Sequence, residues 1–322
     1  MAAADTRLRQ AMGMVLLACL PGLLALFWWH GWGLLFSLLL CGSTALICEA
    51  LLLALRGQPV GAGLKDGSAL VTAALLTAAL PSLAPWWLPV IATSVALGIG
   101  KHAFGGVGRN LFNPAMVGYA FVLLSFPLQM NHWPGQVPGF FDSLQLVMGG
   151  EQIDAWAQPT LLDGLRHNRS LTLDELFASH PGFGSFGGRG SEWVNLAFLL
   201  GGLFLLQRKV ISWHAPVGLL AGVFLFSLLG WNGSGSDSNG SPLLHLFSGS
   251  TMLAAFFIAT EPVSGPKNDW AKFCYGLGAG LLIYLIRTWG SYPDGSAFAI
   301  LLMNLAVPAL ERLALRRRQA AP

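Results

Sequence analysis

The chain has 322 residues, of which 54% are hydrophobic and only 10% are Asp, Glu, Lys or Arg. Soluble domains contain about 25% charged residues, so this composition excludes an ordinary soluble domain and indicates a membrane protein. The formal net charge of +3 gives a nucleic-acid partner no support. The four cysteines form no Cys-x-x-Cys pair and lie in apolar runs, so we expect packed thiols and no metal site.

About ten apolar runs follow one another along the chain, and each is a predicted transmembrane helix. A helix needs about 20 residues to cross ~30 Å of hydrocarbon. Several runs are shorter, which predicts half-length or broken helices shielded inside the protein. We therefore predict an all-α integral membrane protein with spans at residues 11–29, 33–55, 68–80, 86–100, 114–126, 194–206, 216–230, 249–260, 273–286 and 296–310.

The positions of the basic residues predict the orientation. Ten spans place both termini on one side, and if that side is cytoplasmic, 14 of the 18 basic residues are cytoplasmic. Three of the other four lie in one long external loop, where the bias is weak, and only Arg287 is out of place. The residues on the predicted cytoplasmic side are Arg7, Arg9, Arg56, Lys65, Lys101, Arg109, Arg208, Lys209, Lys267, Lys272, Arg312, Arg316, Arg317 and Arg318.

Two segments recur at an offset of 181 or 182 residues, which indicates an internal repeat. Residues 66–81 (DGSALVTAALLTAALP) match 248–262 (SGSTMLAAFFIATEP), and 112–127 match 293–308 in the spacing from helix start to closing proline. Five spans per repeat is an odd number, so the halves are predicted to be inverted, as in many transporters. The predicted domains are a first membrane repeat at 1–127, an external loop at 128–193 and a second membrane repeat at 194–322.

Four polar residues fall at the helix breaks of this repeat: Asp66, Asn113, Glu261 and Asp294. Ionisable groups at membrane depth are costly and often mark a pathway, so we predict these four as candidates for an ion path. The topology puts Asp66 and Glu261 on the cytoplasmic side and Asp294 on the external side, as entrance and exit groups. A second interpretation stays open: both aspartates precede a Gly-Ser pair, where an acidic side chain caps a helix N-terminus.

Four runs carry a resemblance to a known family: GGVGRNLFNPAMVGYAFVLLSFPLQM (105–130), DGSALVTAALL (66–76), FFIATEPVSGP (256–266) and YPDGSAFAILLMNLAVP (292–308). They closely resemble the D subunit of bacterial Rnf complexes, which shares a family with the B subunit of the sodium-pumping NADH:quinone reductase. The resemblance covers nearly the whole chain. It implies a urea-transporter-like fold of ten helices in a bacterial inner (cytoplasmic) membrane. It also implies an ion-translocating ferredoxin:NAD oxidoreductase that couples electron transfer to Na⁺ or H⁺ movement.

The resemblance further implies FMN joined by a phosphodiester to a threonine, in a motif similar to D-x-x-(S/T)-G-A-T. Residues 154–163 read DAWAQPTLLD, which keeps the six-residue step from Asp154 to Thr160 but departs from the motif at the three residues before the threonine. We predict Thr160 as the attachment site. Asp154 would take its proton or help hold a divalent cation while a flavin transferase acts, and Trp156 would pack on the ring. A second, non-covalent flavin such as riboflavin is also compatible with the resemblance.

Two alternatives to Thr160 stay open at this point. The segment SGST at 248–251 is nearer to the S-G-A-T part of the motif, but the residue six positions before Thr251 is His245 and not an aspartate. The repeat also explains SGST as a helix start. The other alternative is that neither threonine carries flavin. A modifying enzyme needs an accessible chain, which favours the loop threonine.

Three classes of function fit an apolar protein of this kind. The leading hypothesis is an electron-carrying, ion-translocating subunit that is not a complete enzyme alone, with other subunits of an Rnf-type complex and the lipid bilayer as partners. The second is a channel or carrier for a small neutral solute, and the third is a structural scaffold. A passive channel has no use for a flavin attachment site, so the Asp154–Thr160 element favours the first class.

Overall fold

A computed structural model describes residues 2–149, 155–168, 170–292 and 294–320 of the chain. These residues form helices and turns without a β-strand, and their β-type pairing is limited to two isolated bridges. The prediction of an all-α protein is therefore confirmed for the described residues. The chain divides into two compact units, which are Met1–Gln158 with Leu203–Val210, and Pro159–Gly202 with Ile211–Pro322.

The first unit begins with two long apolar helices that are separated by a single residue. Gly31 adopts a φ of +70°, a conformation that glycine reaches without a Cβ penalty, and the chain turns there from one helix into the next. Shorter helices follow. The helices of this unit are α1 (Ala2–His30), α2 (Trp32–Leu55), α3 (Val60–Lys65), α4 (Ser68–Ala79), α5 (Trp87–Val95), α6 (Pro114–Ser125) and α7 (Phe140–Val147).

Helix α5 changes its winding before it ends. It widens into a π-helical segment, Ala96–Lys101, and then tightens into a 3₁₀ turn, His102–Phe104. The chain reverses at Gly105, whose φ is +112°. π-helical turns are rare and frequently occur at functional sites. Here the change of winding leaves Lys101 and His102 buried in the interior of the unit.

Small residues let the helices of the first unit approach each other closely. A Cβ added to Gly118 of α6 would lie 2.2 Å from the carbonyl oxygen of Ala92 in α5. A Cβ added to Gly100 would lie 2.8 Å from the Cα of Pro114. Real Cβ atoms do not approach other atoms this closely, so glycine is required at both positions. The π-helical segment therefore ends next to the start of α6.

The second unit combines a cluster of short helices with several longer apolar ones. Helix α10 begins in this unit, and helix α13 is a single turn that continues as a π-helical segment, Ala254–Ile258. The helices are α8 (Leu161–His167), α9 (Leu173–Ser179), α10 (Ser191–Gln207), α11 (His214–Leu229), α12 (Pro242–Leu246), α13 (Thr251–Leu253), α14 (Asp269–Trp289) and α15 (Ser296–Ala320).

The short helices α8 and α9 pack around a small apolar core of their own. Helix α9 begins with a capping box, in which Thr172 and Glu175 each bond the backbone N–H of the other. The segment predicted as a polar loop therefore carries ordered helices. The buried residues of this core are Leu161, Leu162, Leu173, Leu176, Phe183 and Leu244.

Helices α11 and α14 pack backbone against backbone through two Gly-x-x-x-Gly patterns, at 218–222 and 276–280. A Cβ added to Gly280 would lie 2.3 Å from a carbonyl oxygen of α11, and one added to Gly222 would lie 2.5 Å from a carbonyl oxygen of α14. Small residues at this spacing are the usual means by which helices associate in membranes. The glycines thus fix the position of α14, which carries Arg287 in its last turn.

Three described helices are long and apolar enough to cross a membrane by length and composition, namely Thr6–His30, Trp32–Leu55 and Ser296–Gln319. Shorter apolar helices are Ser68–Ala79, Pro114–Ser125, Ser191–Gln207 and His214–Leu229. Helical residues occupy every one of the ten predicted spans. That all ten cross a membrane, and that they form two inverted urea-transporter-like repeats, stay predictions.

Candidate functional site

Thr160 lies at the start of helix α8, in the cluster of short helices. Its Oγ1 accepts a hydrogen bond from the backbone N–H of Asp163 at 3.3 Å, which is the geometry of an N-cap. The side chain is partly exposed. Because the oxygen is the acceptor in this bond, the hydroxyl proton is not used by it. The hydrogen bond at the helix start therefore orients the Thr160 oxygen and leaves its hydroxyl proton available.

The chain just before this threonine is held by backbone pairing within the first unit. The N–H of Gly135 donates to the carbonyl of Trp156 at 2.8 Å, and the N–H of Gln158 donates to the carbonyl of Trp133 at 2.9 Å. Trp156 is half-buried. Asp154, the predicted proton acceptor, lies outside the described residues. The structure thus fixes the backbone on the N-terminal side of the predicted attachment residue.

Thr251, the alternative attachment residue, is fully buried, with an exposed fraction of 0%. Its Oγ1 lies 2.9 Å from the carbonyl oxygen of His245 and 3.0 Å from that of Ser248. It also accepts a hydrogen bond from Nη2 of Arg287 at 3.0 Å. A hydroxyl that is enclosed and engaged in this way is a poor substrate for a separate modifying enzyme. This geometry favours Thr160 over Thr251.

Asp294 lies between the starts of two helices in the second unit. Its Oδ2 accepts hydrogen bonds from the N–H and the hydroxyl of Ser250 at 2.8 and 2.7 Å, just before α13. Its Oδ1 accepts from the N–H and the hydroxyl of Ser296 at 3.2 and 2.8 Å, at the start of α15. Arg287 forms an ion pair with the same oxygen at 3.2 Å. The carboxylate is therefore a helix cap and also the counterion of a buried guanidinium.

A second charged network lies inside the first unit. Asp66 accepts hydrogen bonds from the N–H and the hydroxyl of Ser68 at 2.7 and 2.6 Å, the same capping geometry as at Asp294. The Nζ of Lys101 lies 2.8 Å from the Ser68 hydroxyl and 2.8 Å from each carboxylate oxygen of Glu49. His102 bonds the same carboxylate through Nε2 at 3.1 Å. Glu49 and Lys101 are almost completely buried, so each needs the other to offset the loss of water.

Of the other two predicted ion-path residues, Asn113 caps a helix and Glu261 stabilises a turn. The side chain of Asn113 accepts a hydrogen bond from the N–H of Met116 at 3.2 Å and begins helix α6. The carboxylate of Glu261 accepts from the N–H and the hydroxyl of Ser264 in the turn after the second π-helical segment. Local capping or turn hydrogen bonds thus account for the geometry at all four positions. A role in ion passage stays a prediction.

The sequence reasoning did not identify four charged residues that organise the interior: Glu49, Lys101, Arg287 and Glu192. The carboxylate of Glu192 accepts hydrogen bonds from three consecutive backbone N–H groups of the loop at 185–187. A usable signal was present, because Glu49, Lys101 and Arg287 each interrupt an apolar run. Charged residues inside such runs are expected to pair with one another or with backbone carbonyls.

The comparison with known families shows the family to which the chain belongs. The family model described as NQR2, RnfD, RnfE matches residues 2–319 of the chain. The chain belongs to the NQR2, RnfD, RnfE family. The resemblance predicted from the four sequence runs is thereby confirmed.

Individual members of the NQR2, RnfD, RnfE family are similar to the chain over almost its whole length. A protein of Pseudomonas paraeruginosa (strain DSM 24068 / PA7), named as the D subunit of an ion-translocating oxidoreductase complex, is 61% identical over 303 residues, which cover 93% of this chain and 88% of the relative. Proteins with the same name are 55% identical in Ectopseudomonas mendocina (strain ymp; 95% and 90% covered) and 46% identical in Aeromonas salmonicida (strain A449; 94% and 91% covered).

Proposed function

We propose that the chain is a membrane subunit of an ion-translocating oxidoreductase complex, that it carries FMN on Thr160, and that it helps couple electron transfer to the movement of Na⁺ or H⁺. The family membership supports the assignment to such a complex and to an enzyme that is complete only with its other subunits. The observation that carries the flavin assignment is the geometry of Thr160, a partly exposed residue whose hydroxyl is oriented at a helix start.

The attachment step exchanges one phosphate ester for another. The Oγ1 of Thr160 would attack the flavin-side phosphorus of a flavin dinucleotide, the bond from that phosphorus to the oxygen of the adenylate half would break, and AMP would leave. The hydroxyl proton passes to a base, for which we propose Asp154, while a separate flavin transferase binds the dinucleotide. Among the described residues, Thr160 fits this step. The N–H of Asp163 bonds the threonine oxygen as an acceptor, so the proton is not held by that bond and the oxygen keeps its acceptor role as an ester.

The bound flavin would supply one- and two-electron transfer, and the protein would supply its position and surroundings. The backbone pairing of Trp156 and Gln158 holds the segment that leads to the attachment residue. We propose that the half-buried Trp156 packs against the flavin ring. A non-covalent riboflavin elsewhere in the chain is compatible with the family.

For the membrane arrangement we propose ten spans in two inverted repeats within a bacterial inner membrane, with both termini in the cytoplasm. Three helices of sufficient length and apolarity support the membrane location. The distribution of basic residues supports the orientation. This arrangement places Thr160 on the periplasmic side, between a membrane repeat at 1–127 and another at 194–322.

For ion movement we propose a path that uses Asp66, Asn113, Glu261 and Asp294. The carboxylates of Asp66 and Asp294 support this role because each is linked to a buried cation, Asp66 through Ser68 to Lys101 and Asp294 directly to Arg287. An acidic group next to a fixed cation can take up a mobile cation only if that pairing loosens. The proposal therefore requires these networks to change during electron transfer.

The test uses the assembled complex in sealed membrane vesicles. Thr160→Ala should abolish both electron transfer and the coupled ion uptake while leaving the chain inserted. Thr172→Ala is the matched control, because Thr172 is another N-cap threonine in the same cluster of short helices and its loss removes the same kind of bond. Thr172→Ala should retain both activities. If vesicles with Thr160→Ala transfer electrons as fast as wild type, the flavin assignment is wrong.

A further inference from the structure

A cavity of about 110 Å³ lies in the second unit, between helix α8, the loop before α12, and the end of α14. Its apolar side is formed by Leu162 and Leu165 of α8. Its polar side includes Arg166, His245 and the neighbouring pair Arg287 and Thr288. A water molecule takes up ~30 Å³, so the space admits a few waters or one small polyatomic ligand and is too small for a flavin ring.

Four residues that line this cavity each have one polar atom that is buried without a hydrogen-bond partner among the described residues. These atoms are Nη1 of Arg166, Nδ1 of His245, Nε of Arg287 and Oγ1 of Thr288. His245 is 1% exposed and Arg287 is 4% exposed. Buried polar atoms in proteins are nearly always paired, and those that are not call for an explanation such as a bound ion or water. Four residues with such atoms line one space, which points to a polar occupant.

The chemistry of these atoms defines what the occupant must present. Arginine nitrogens are donors only, so Arg166 and Arg287 require acceptor oxygens. Nε2 of His245 bonds the carbonyl oxygen of Asn239 at 2.8 Å and therefore carries the ring proton. Burial, helped by the charge of Arg287, lowers the pKa of His245 to about 4, so the ring is neutral at pH 7 and Nδ1 is an acceptor. The occupant must then offer several oxygens and at least one donor.

The charges around the cavity favour an anion. Arg287 is already balanced by Asp294. No carboxylate of the described residues lies within 4.0 Å of a nitrogen of Arg166, so its charge is not compensated by an ion pair there. Asp237 also lines the cavity, but it is an exposed residue that water can solvate. Within the described residues, one guanidinium without an ion pair lies near a second guanidinium, and this combination suits a tetrahedral oxyanion.

We propose that this cavity binds a phosphate group, with Arg166 and the Nε of Arg287 on its oxygens and a donor of the same molecule on Nδ1 of His245. Either hydrogen phosphate or a phospholipid headgroup that bears a hydroxyl or ammonium group supplies this combination. Arg166 determines the charge of the site, and Thr288 adds a hydroxyl. Phosphate binding in this cavity does not require flavin on Thr160, so this proposal can be tested independently of the proposed function.

The test compares Arg166→Gln with Arg189→Gln in the purified full chain. Both changes remove one arginine charge from the second unit, but Arg189 is exposed and does not line the cavity. After delipidation, inorganic phosphate should raise the unfolding temperature of wild type and Arg189→Gln in a saturable way, beyond chloride at equal ionic strength. The half-saturating phosphate concentration of Arg166→Gln should be at least tenfold higher. Thr288→Val provides a second variant on the opposite side of the cavity and should weaken binding as well.

Native mass spectrometry without added lipid distinguishes the two sources of phosphate. A phospholipid retained by wild type and Arg189→Gln but lost from Arg166→Gln identifies a headgroup, and its absence together with the phosphate effect identifies free phosphate. If phosphate acts equally on all four proteins and no lipid distinguishes them, the cavity holds only water and the proposal is wrong. The same conclusion follows if phosphate has no effect on wild type and no lipid is retained.

Discussion

Replacing Gly280 by alanine tests the close packing of helix α14 against helix α11. The added Cβ would lie 2.3 Å from the carbonyl oxygen of Leu219 and 2.7 Å from the backbone nitrogen of Val223. Ordinary contact begins near 3.4 Å, so the two helices would have to separate by about 1 Å. The atoms in the way belong to backbone and not to a flexible side chain. The strain therefore cannot be relieved by a change of rotamer.

The expected cost follows from two opposing effects. Overpacking of a tight interface costs about 1–3 kcal/mol, while alanine in a helix interior is favoured over glycine by about 0.5–1 kcal/mol. Gly280→Ala should then lower the free energy of unfolding by about 1–2 kcal/mol, which is roughly a tenfold change in the unfolding equilibrium. SDS titration of the detergent-solubilised chain, followed by tryptophan fluorescence, measures this difference.

Gly278→Ala is the matched control in the same helix. Its Cβ would meet only the end of the Met303 side chain, at 2.8 Å, which can move aside. We expect this variant to be as stable as wild type or slightly more stable. Equal stability of Gly280→Ala and Gly278→Ala would show that α11 and α14 do not pack through their glycines.

Three further variants test the charged networks and the orientation. Lys101→Met should cost about 3–5 kcal/mol in the same titration because it removes the buried cation beside the Glu49 carboxylate and leaves His102 as the remaining partner; adding Glu49→Gln should recover part of the loss, and no recovery would contradict the pairing. Asp294→Asn keeps one of the two capping oxygens and removes the counterion of Arg287. Normal assembly and electron transfer without ion uptake support an ion path, wild-type uptake with failure of Asp294→Ala alone makes the residue a cap, and failure of both variants to assemble makes it the counterion of Arg287. Ser170→Cys should react with an impermeant maleimide from the periplasm and Gln319→Cys only after the membrane is opened; the reverse pattern would invert the topology.

The sequence predicted helix starts well where the start signal is local. The predicted span at 114–126 is helix α6, Pro114–Ser125, because a proline at the first helical position and an asparagine cap before it are unambiguous signals. The predicted span at 68–80 is helix α4, Ser68–Ala79, which Asp66 caps through Ser68. These signals depend on two or three adjacent residues. They can be read without knowing what packs nearby.

A predicted membrane span does not give the end of the helix that contains it. The last span was predicted at 296–310, but helix α15 runs from Ser296 to Ala320 and passes through Pro308. The prediction followed hydropathy, which falls where a chain leaves hydrocarbon. The residues beyond that point are mostly Leu, Ala, Arg and Glu, which are strong helix formers. Hydropathy indicates which residues lie in the hydrocarbon layer. Helix propensity influences how far the helix continues beyond that layer.

The interior networks could not be derived from sequence spacing. Lys101 and Glu49 are 52 residues apart, and Lys101 is the last residue of the π-helical segment that follows α5. No short sequence motif indicates that the helix changes to π-helical winding at this point. The preference for Thr160 over Thr251 could not be derived from the sequence either. The motif fits each threonine only in part, and the burial of Thr251 results from tertiary packing.

Peptide mass spectrometry of the chain matured in its native membrane tests the flavin assignment most directly. A peptide that contains Thr160 should carry the mass of one FMN phosphodiester, and fragmentation should place that mass on Thr160. Thr160→Ala should remove it, and Thr172→Ala should leave it unchanged. The same mass found on Thr251, or a wild-type chain in active membranes with no flavin on either threonine, would contradict the account.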